Sequence, residues 1–184
     1  MRPLIRLVPR ALVPTMRFRL GAAGIAFASE WLKTPMHAVT INPGNMAKGI
    51  TRAALINLVE DIPGPLYADF LEWAGADGEI RTTRGPALAG LVGVRTPALF
   101  LAGTADKLAP IPAVRKAFDA WGSDLPHASK RFVTVGRAHG HAQDYGHGDM
   151  AIGTSVAADL FAPIASFLEE DLAAIVAPAG AISG

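Results

Sequence analysis

The sequence predicts an α/β protein in which a helical first half precedes strands of a parallel sheet. Three observations support this prediction. Residues 1–93 contain short helical patterns separated by prolines and glycines, without the alternation of apolar and polar residues typical of half-buried strands. Two short apolar runs, 98–102 and 130–135, are each followed by an amphipathic helical pattern. The resulting order of strand, helix, strand and helix is the one that a right-handed parallel crossover requires.

The composition is that of a folded globular protein. The chain has 184 residues, of which 51% are hydrophobic and 18% charged, with a net charge of +1, and this argues against general disorder. No dense basic patch and no apolar run of about 18 residues is present, so neither nucleic-acid binding nor an integral membrane segment is expected. Cysteine is absent, which excludes disulfides and thiol catalysis. The compartment stays open, with a cytoplasmic location favoured.

The first half is predicted to consist of short helices. Prolines at positions 9 and 14 prevent one long amino-terminal helix. Asn45 is predicted to cap a helix in which apolar residues recur at helical spacing from residue 50 to residue 58. The other predicted elements are a helix over 20–32, a turn at 42–45, a helix over 66–74, a polar loop over 75–85 and a helical turn over 88–91.

The second half is predicted to form the sheet. The apolar run 98–102 lies between a proline and a glycine, as is typical of a strand buried on both faces. A helix over 112–121 and a strand over 130–135 follow. A last helix over 155–176 is predicted, with Ser155 as its cap and Pro163 as a kink or as its true start, before a frayed tail at 178–184. Because two strands make a poor sheet, the sheet is expected to be completed by hidden strands in the first half or by residues absent from this chain.

Two polar loops follow the two predicted strands and contain residues suited to catalysis. Asp106 lies in the first loop, and His139, His141 and His147 lie in the second. Loops at the carboxyl ends of neighbouring parallel strands open at the same edge of a sheet, so an acid and an imidazole can meet there. A carboxylate holds a histidine in one tautomer and allows it to act as a general base. Asp144 is an alternative acid, close to the histidines in sequence.

A resemblance follows from these motifs. The pattern Gly103-x-x-Asp106-x-Leu108-x-Pro110, with Tyr145-Gly146-His147-Gly148-Asp149-Met150 further along the chain, resembles the carboxyl-terminal part of the α/β-hydrolase fold. It looks most like lipase- and esterase-like members and covers residues 94–172. The order of acid before histidine agrees with that family. The resemblance implies that Asp106 is the acid and His147 the base of a catalytic triad.

The same resemblance implies an organisation and a function. Residues 1–93 would be a helical cap or lid, residues 94–177 the last βαβα units of the partial α/β-hydrolase core, and residues 178–184 a flexible tail. The expected reaction is hydrolysis of a carboxylic ester, with an apolar small-molecule ester as substrate and no cofactor or bound metal.

The triad nucleophile is missing from the sequence. No Gly-x-Ser-x-Gly precedes Asp106, and the nearest match, Gly153-Thr154-Ser155-Val156-Ala157, follows the histidine, which is the wrong order. The chain is therefore expected to be the cap and carboxyl-terminal half of a larger hydrolase. By itself it is expected to be inactive, because a triad without its nucleophile and oxyanion donors loses nearly all of its activity.

Three alternatives stay open. An epoxide or haloalkane hydrolase of the same fold would use the same acid and histidine with an aspartate nucleophile. A non-catalytic remnant would bind a partner or an apolar ligand through its sheet edge and cap, or would self-associate. A zinc site is suggested by three histidines and Asp144 within residues 139–147, although their spacing is not the helical pair of zinc proteases. Asp149 is predicted to brace the loop around His147.

Overall fold

The computed structural model describes residues 14–29, 39–75, 79–126 and 129–176. Predictions for residues 1–13, 30–32 and 178–184 lie outside the described residues. The described part is mixed α/β, with helices and a two-stranded parallel sheet, which confirms the fold class at that level. It divides into two compact units. In described residues, one unit comprises 14–29 with 47–92, and the other comprises 39–46 with 93–176.

Within its described residues, the first unit contains the helices α1 (Phe18–Ala26), α2 (Ile50–Asn57) and α3 (Gly64–Gly75). Helix α1 packs against α2 and buries its small residues Ala22 and Ala26, while Leu20 and Phe27 are exposed. The bounds predicted for this helix, 20–32, differ from the described structure at both ends. It begins at Phe18, and after Ala26 the backbone turns, with Ser29 Oγ donating to Ala26 O at 2.6 Å.

The predicted polar loop over 75–85 contains a short ladder that the sequence did not reveal. Strands β1 (Arg81–Thr82) and β2 (Gly85–Pro86) pair antiparallel, and Gly85 adopts a φ of 116°, which favours glycine. Two residues per strand are too few to show an alternating pattern. A 3₁₀ turn over Ala87–Leu91 confirms the predicted helical turn.

The second unit contains the parallel sheet. Strand β3 (Ala98–Gly103), helix α4 (Ile111–Ala120) and strand β4 (Lys130–Val135) follow one another. The strands pair in register from Ala98 opposite Lys130 to Gly103 opposite Val135. These elements confirm the predicted order, with β3 one residue longer and α4 shifted by one residue from the predictions.

Both faces of the sheet are covered. On one face, the ring of Phe100 lies 5.6 Å from the rings of Phe118 and Trp121, between centroids. On the other, a buried cluster packs with the half-buried side chains of Leu101 and Val133. Its members are Val135, Tyr145, Val156 and Leu160. The sheet therefore has apolar side chains packed against each of its faces.

The predicted last helix over 155–176 is divided into two parts, and a separate short helix precedes it. Helix α5 (Asp149–Ile152) is followed by a π-helix (Ala157–Phe161) and then by α6 (Ala162–Val176). Pro163 lies at the second position of α6, where its missing N–H is tolerated, so it marks the true start of the regular helix. Ser155 is not the predicted cap, because the π-helix begins after Val156 and no side-chain hydrogen bond caps it. No helix within the described ranges is long and apolar enough to cross a bilayer.

Candidate active site

Asp106 lies in the turn that follows β3, and its carboxylate is fixed by the backbone. Oδ1 accepts hydrogen bonds from the N–H groups of Leu108 and Ala109, both at 2.8 Å. The residue is only 5% exposed. An aspartate that bonds the backbone two and three residues further on is typical of tight turns. This leaves the second carboxylate oxygen available to another partner.

That partner is His147. Its Nδ1 lies 2.9 Å from Asp106 Oδ2, across 41 residues of sequence. A carboxylate accepts hydrogen bonds, so this contact places the proton of a neutral imidazole on Nδ1 and leaves Nε2 as a proton acceptor. The His147 side chain is 51% exposed, whereas that of Asp106 is 1% exposed. The structure therefore brings together the two residues predicted as acid and base, with the histidine reachable from solvent.

The two loops meet through their backbones. Ala105 N donates to Tyr145 O at 2.9 Å. A Cβ at Gly103 would collide with the Tyr145 carbonyl and would lie 3.2 Å from Met150 Sδ. The glycine of the Gly-x-x-Asp pattern is therefore needed for the close approach of the loops that contain Asp106 and His147.

Sequence reasoning missed the polar side chains beneath the histidine loop. Asn45 is not a helix cap; α2 begins after Gly49, and Asn45 is buried at 2% exposure. Its Nδ2 donates to Asp144 O at 2.7 Å and to Asp149 Oδ2 at 2.6 Å. Asp149, fully buried, braces the loop as predicted. About a hundred residues separate Asn45 from both partners, so no local pattern could have revealed these contacts.

Asp144 has a different role from the one considered as an alternative acid. Its Oδ1 accepts from Thr104 Oγ1 at 2.8 Å and from Arg137 N at 3.0 Å. The hydrogen bond from Thr104 and, to a smaller extent, the hydrogen bond from the backbone N–H of Arg137 hold the pKa of Asp144 below its ordinary value. Among the described residues, the histidine that pairs with a carboxylate is His147, and the carboxylate belongs to Asp106.

The other histidines of the loop are not assembled around a common centre. His139 is exposed in a 3₁₀ turn, and His141 Nδ1 lies 3.2 Å from Gly136 O. Among the described residues, no group of three or more His, Asp or Glu side chains is placed to hold a metal ion. The zinc alternative thus gains no support from this loop.

Tyr145 anchors the loop from the side of the π-helix. Its ring is fully buried, and its hydroxyl donates to Asp159 Oδ2 at 2.8 Å. Burial and, to a smaller extent, the hydrogen bond to Asp159 raise the pKa of Tyr145 above its ordinary value. Asp159 Oδ2 also accepts from Ala142 N at 2.8 Å. A π-turn is an unusual element that often lies at functional sites, and here it places a carboxylate against the segment 142–145.

Comparison with known proteins supplies no relative for this site. No protein-family model, no curated protein and no solved structure matches the chain. The function of the site therefore rests on the contact between Asp106 and His147 and on the motifs that contain them.

Proposed function

We propose that Asp106 and His147 are the acid and base of an α/β-hydrolase-type enzyme that hydrolyses carboxylic esters. The contact of 2.9 Å between His147 Nδ1 and Asp106 Oδ2 carries the proposal. It joins loops that follow two adjacent parallel strands, where active sites of parallel sheets are built. The partial α/β-hydrolase fold, with residues 1–93 as a cap and residues 94–177 as the core segment, is part of the same proposal.

The chemistry of the pair is general base and then general acid catalysis. His147 Nε2 would take the proton from a nucleophilic hydroxyl as its oxygen attacks the ester carbonyl. The carboxylate of Asp106 would stabilise the resulting imidazolium, which returns the proton to the leaving alkoxide. A water molecule, deprotonated by the same nitrogen, would then attack the acyl carbonyl, and the imidazolium would return the proton to the departing oxygen of the nucleophile as the carboxylic acid is released. The nucleophile in this proposal is a residue that the present sequence does not contain.

An apolar ester is the proposed substrate. In the first unit, Leu66 and Phe70 are exposed, and the Phe70 and Trp73 rings pack edge to face at 5.3 Å. Such exposed apolar side chains suit contact with an acyl chain.

We also propose that a second copy of the chain, or a partner chain, adds a strand to the sheet beside β3.

The test isolates from the source cells the polypeptide that contains this sequence and measures its mass and its esterase activity. It also determines the coding frame upstream of Met1. We expect an in-frame Gly-x-Ser-x-Gly and hydrolysis of p-nitrophenyl esters. His147→Ala should then lower kcat by roughly 10⁴- to 10⁶-fold, the range seen when a triad member is lost. His139→Ala is the matched control in the same loop and should leave kcat unchanged.

Each contrary outcome has a distinct meaning. An unchanged kcat in His147→Ala would refute the proposed base. An aspartate at the position of the nucleophile would instead favour epoxide or haloalkane hydrolysis by the same pair. A native product with the mass of this chain and no esterase activity would favour the non-catalytic alternative.

A further inference from the structure

Asp149 is a carboxylate buried beneath the histidine loop. It has no exposed surface. Oδ1 accepts from Asn42 N at 2.7 Å, and Oδ2 accepts from Gly146 N at 3.0 Å and from Asn45 Nδ2 at 2.6 Å. A buried carboxylate is costly unless hydrogen bonds satisfy it. These three donors compensate that cost and tie Asp149 to both its own loop and the segment 42–45.

Asn45 joins the two ends of the loop. One hydrogen of its Nδ2 group goes to Asp144 O and the other to Asp149 Oδ2. Both acceptors are oxygens, so the orientation of the amide follows from its partners. Asn42 Nδ2 adds a second bond to Asp144 O at 2.9 Å. The hexapeptide 144–149, with His147 inside it, is thus held at its first and last residues.

The middle of the hexapeptide is held as well. Gly148 N donates to Thr40 O at 2.7 Å. By contrast, the His147 side chain is half exposed, so little packing restrains its ring. The direction of the imidazole therefore depends on the backbone on either side of it.

We propose that Asn45 and Asp149 are positioning residues, which fix the backbone of 144–149 so that His147 Nδ1 faces Asp106. This inference rests on the proposed function, because it names the residues that orient His147, the proposed base. Supports of this kind are needed where a reactive side chain must be held within a fraction of an ångström. The pair would act through His147, by way of the backbone on either side of the imidazole.

The tautomer of His147 gives a direct test that needs no activity. Nitrogen-15 NMR of the full chain distinguishes an Nδ1–H from an Nε2–H imidazole, and His147→Gln assigns the signal among the five histidines. We expect the Nδ1–H form in the unaltered protein and its loss in Asp106→Ala. Asp149→Asn and Asn45→Ser should shift His147 towards the Nε2–H form. Lys130→Met, which removes a contact elsewhere in the same unit, is the control for general destabilisation and should keep the Nδ1–H form.

The outcomes separate the inference from the proposed function. Folded Asp149→Asn and Asn45→Ser proteins that keep the Nδ1–H form would overturn the inference alone. An unaltered protein without that form would overturn the Asp106–His147 pair and the inference with it. If neither variant folds, hydrogen exchange of the backbone amides in the unaltered protein tests the inference. The proposal requires the amides of Gly146 and Gly148 to exchange as slowly as those of β3 and β4. Exchange at the rate of exposed loops would refute it.

Discussion

Two glycines flank His147, and neither has room for a side chain. A Cβ at Gly148 would lie 2.8 Å from Ile41 Cγ2 and 3.2 Å from Thr40 O. A Cβ at Gly146 would lie 2.8 Å from Asp149 Oδ1. Both distances of 2.8 Å are shorter than normal van der Waals contact, so Asp149 leaves no room for a side chain at Gly146 and the segment 40–42 leaves none at Gly148.

This crowding predicts the effect of one added methyl group. We expect Gly148→Ala to lower the free energy of unfolding by about 1–3 kcal/mol, the usual cost of overpacking, measured by urea denaturation. Gly93→Ala is the matched control, since a Cβ there meets nothing within 4 Å, and its effect should stay within about 0.5 kcal/mol. Equal effects of the two substitutions would contradict the crowding at Gly148.

Asp144 provides a prediction for pH. Folding lowers its pKa, chiefly through the hydrogen bond from Thr104. The ionised carboxylate therefore stabilises the folded protein above the ordinary aspartate pKa of about 3.9, and this contribution is lost as the pH falls through the folded-state value. Thr104→Val should raise the pKa of Asp144 towards its ordinary value in a carbon-13 NMR titration.

Glu170 serves as the internal reference for that titration. A hydrogen bond from Arg131 lowers its pKa, and neither residue contacts Thr104 through any hydrogen bond in the described structure. An unchanged pKa of Asp144 in Thr104→Val, or an equal rise for Glu170, would show that the hydrogen bond from Thr104 is not the cause.

At the scale of elements, Lys130 connects β4 to the end of α4. Its Nζ donates to Phe118 O and Trp121 O, both at 2.7 Å, and lies 3.3 Å from Asp119 O. These carbonyls lie at the carboxyl end of α4, where the helix dipole favours a positive charge. One side chain thus satisfies backbone groups that the helix leaves unpaired.

Removing this ammonium should destabilise the crossover. We expect Lys130→Met to lower the free energy of unfolding by about 1–2 kcal/mol, from lost charge-assisted hydrogen bonds and the dipole contribution. Lys116→Met removes an exposed lysine of α4 itself and should change it by less than about 0.5 kcal/mol. Thermal unfolding followed by circular dichroism would compare them, and a Lys116→Met effect as large as that of Lys130→Met would refute this role.

The sequence predicts elements well where local signals suffice. Strands β3 and β4 are short apolar runs with clear boundaries, and the crossover between them explains why Asp106 and His147 meet although 41 residues separate them. The hairpin of β1 and β2 is too short for periodicity. The π-helix contains Asp159, whose hydrogen-bond partner is the buried Tyr145, and no local pattern marks this element. Asn45 has buried partners that only the folded chain brings near, and residues that pair across such distances leave no pattern in a single sequence.

At the scale of the whole chain, the sheet is small and its two strands differ in charge. Within the described residues it contains β3 and β4 alone, whereas stable sheets normally have three or more strands. Strand β4 begins with Lys130 and Arg131, and charges of this kind oppose further pairing at an edge. Strand β3 contains no charged residue. Its bonds from Ala98 N to Ser129 O and from Thr104 N to Val135 O imply, by alternation, that the N–H groups of Leu99 and Leu101 face away from β4.

This asymmetry predicts self-association through β3. We expect the sedimentation coefficient of the chain to rise with protein concentration, because pairing of β3 with a second copy would satisfy those N–H groups. Leu99→Glu should weaken the association by placing a charge on the edge strand. Leu88→Glu is the matched control: it removes an exposed leucine and adds the same charge outside the sheet, so it should leave the association unchanged. A monomer at all concentrations, or equal effects of the two variants, would show that β3 does not recruit a second copy.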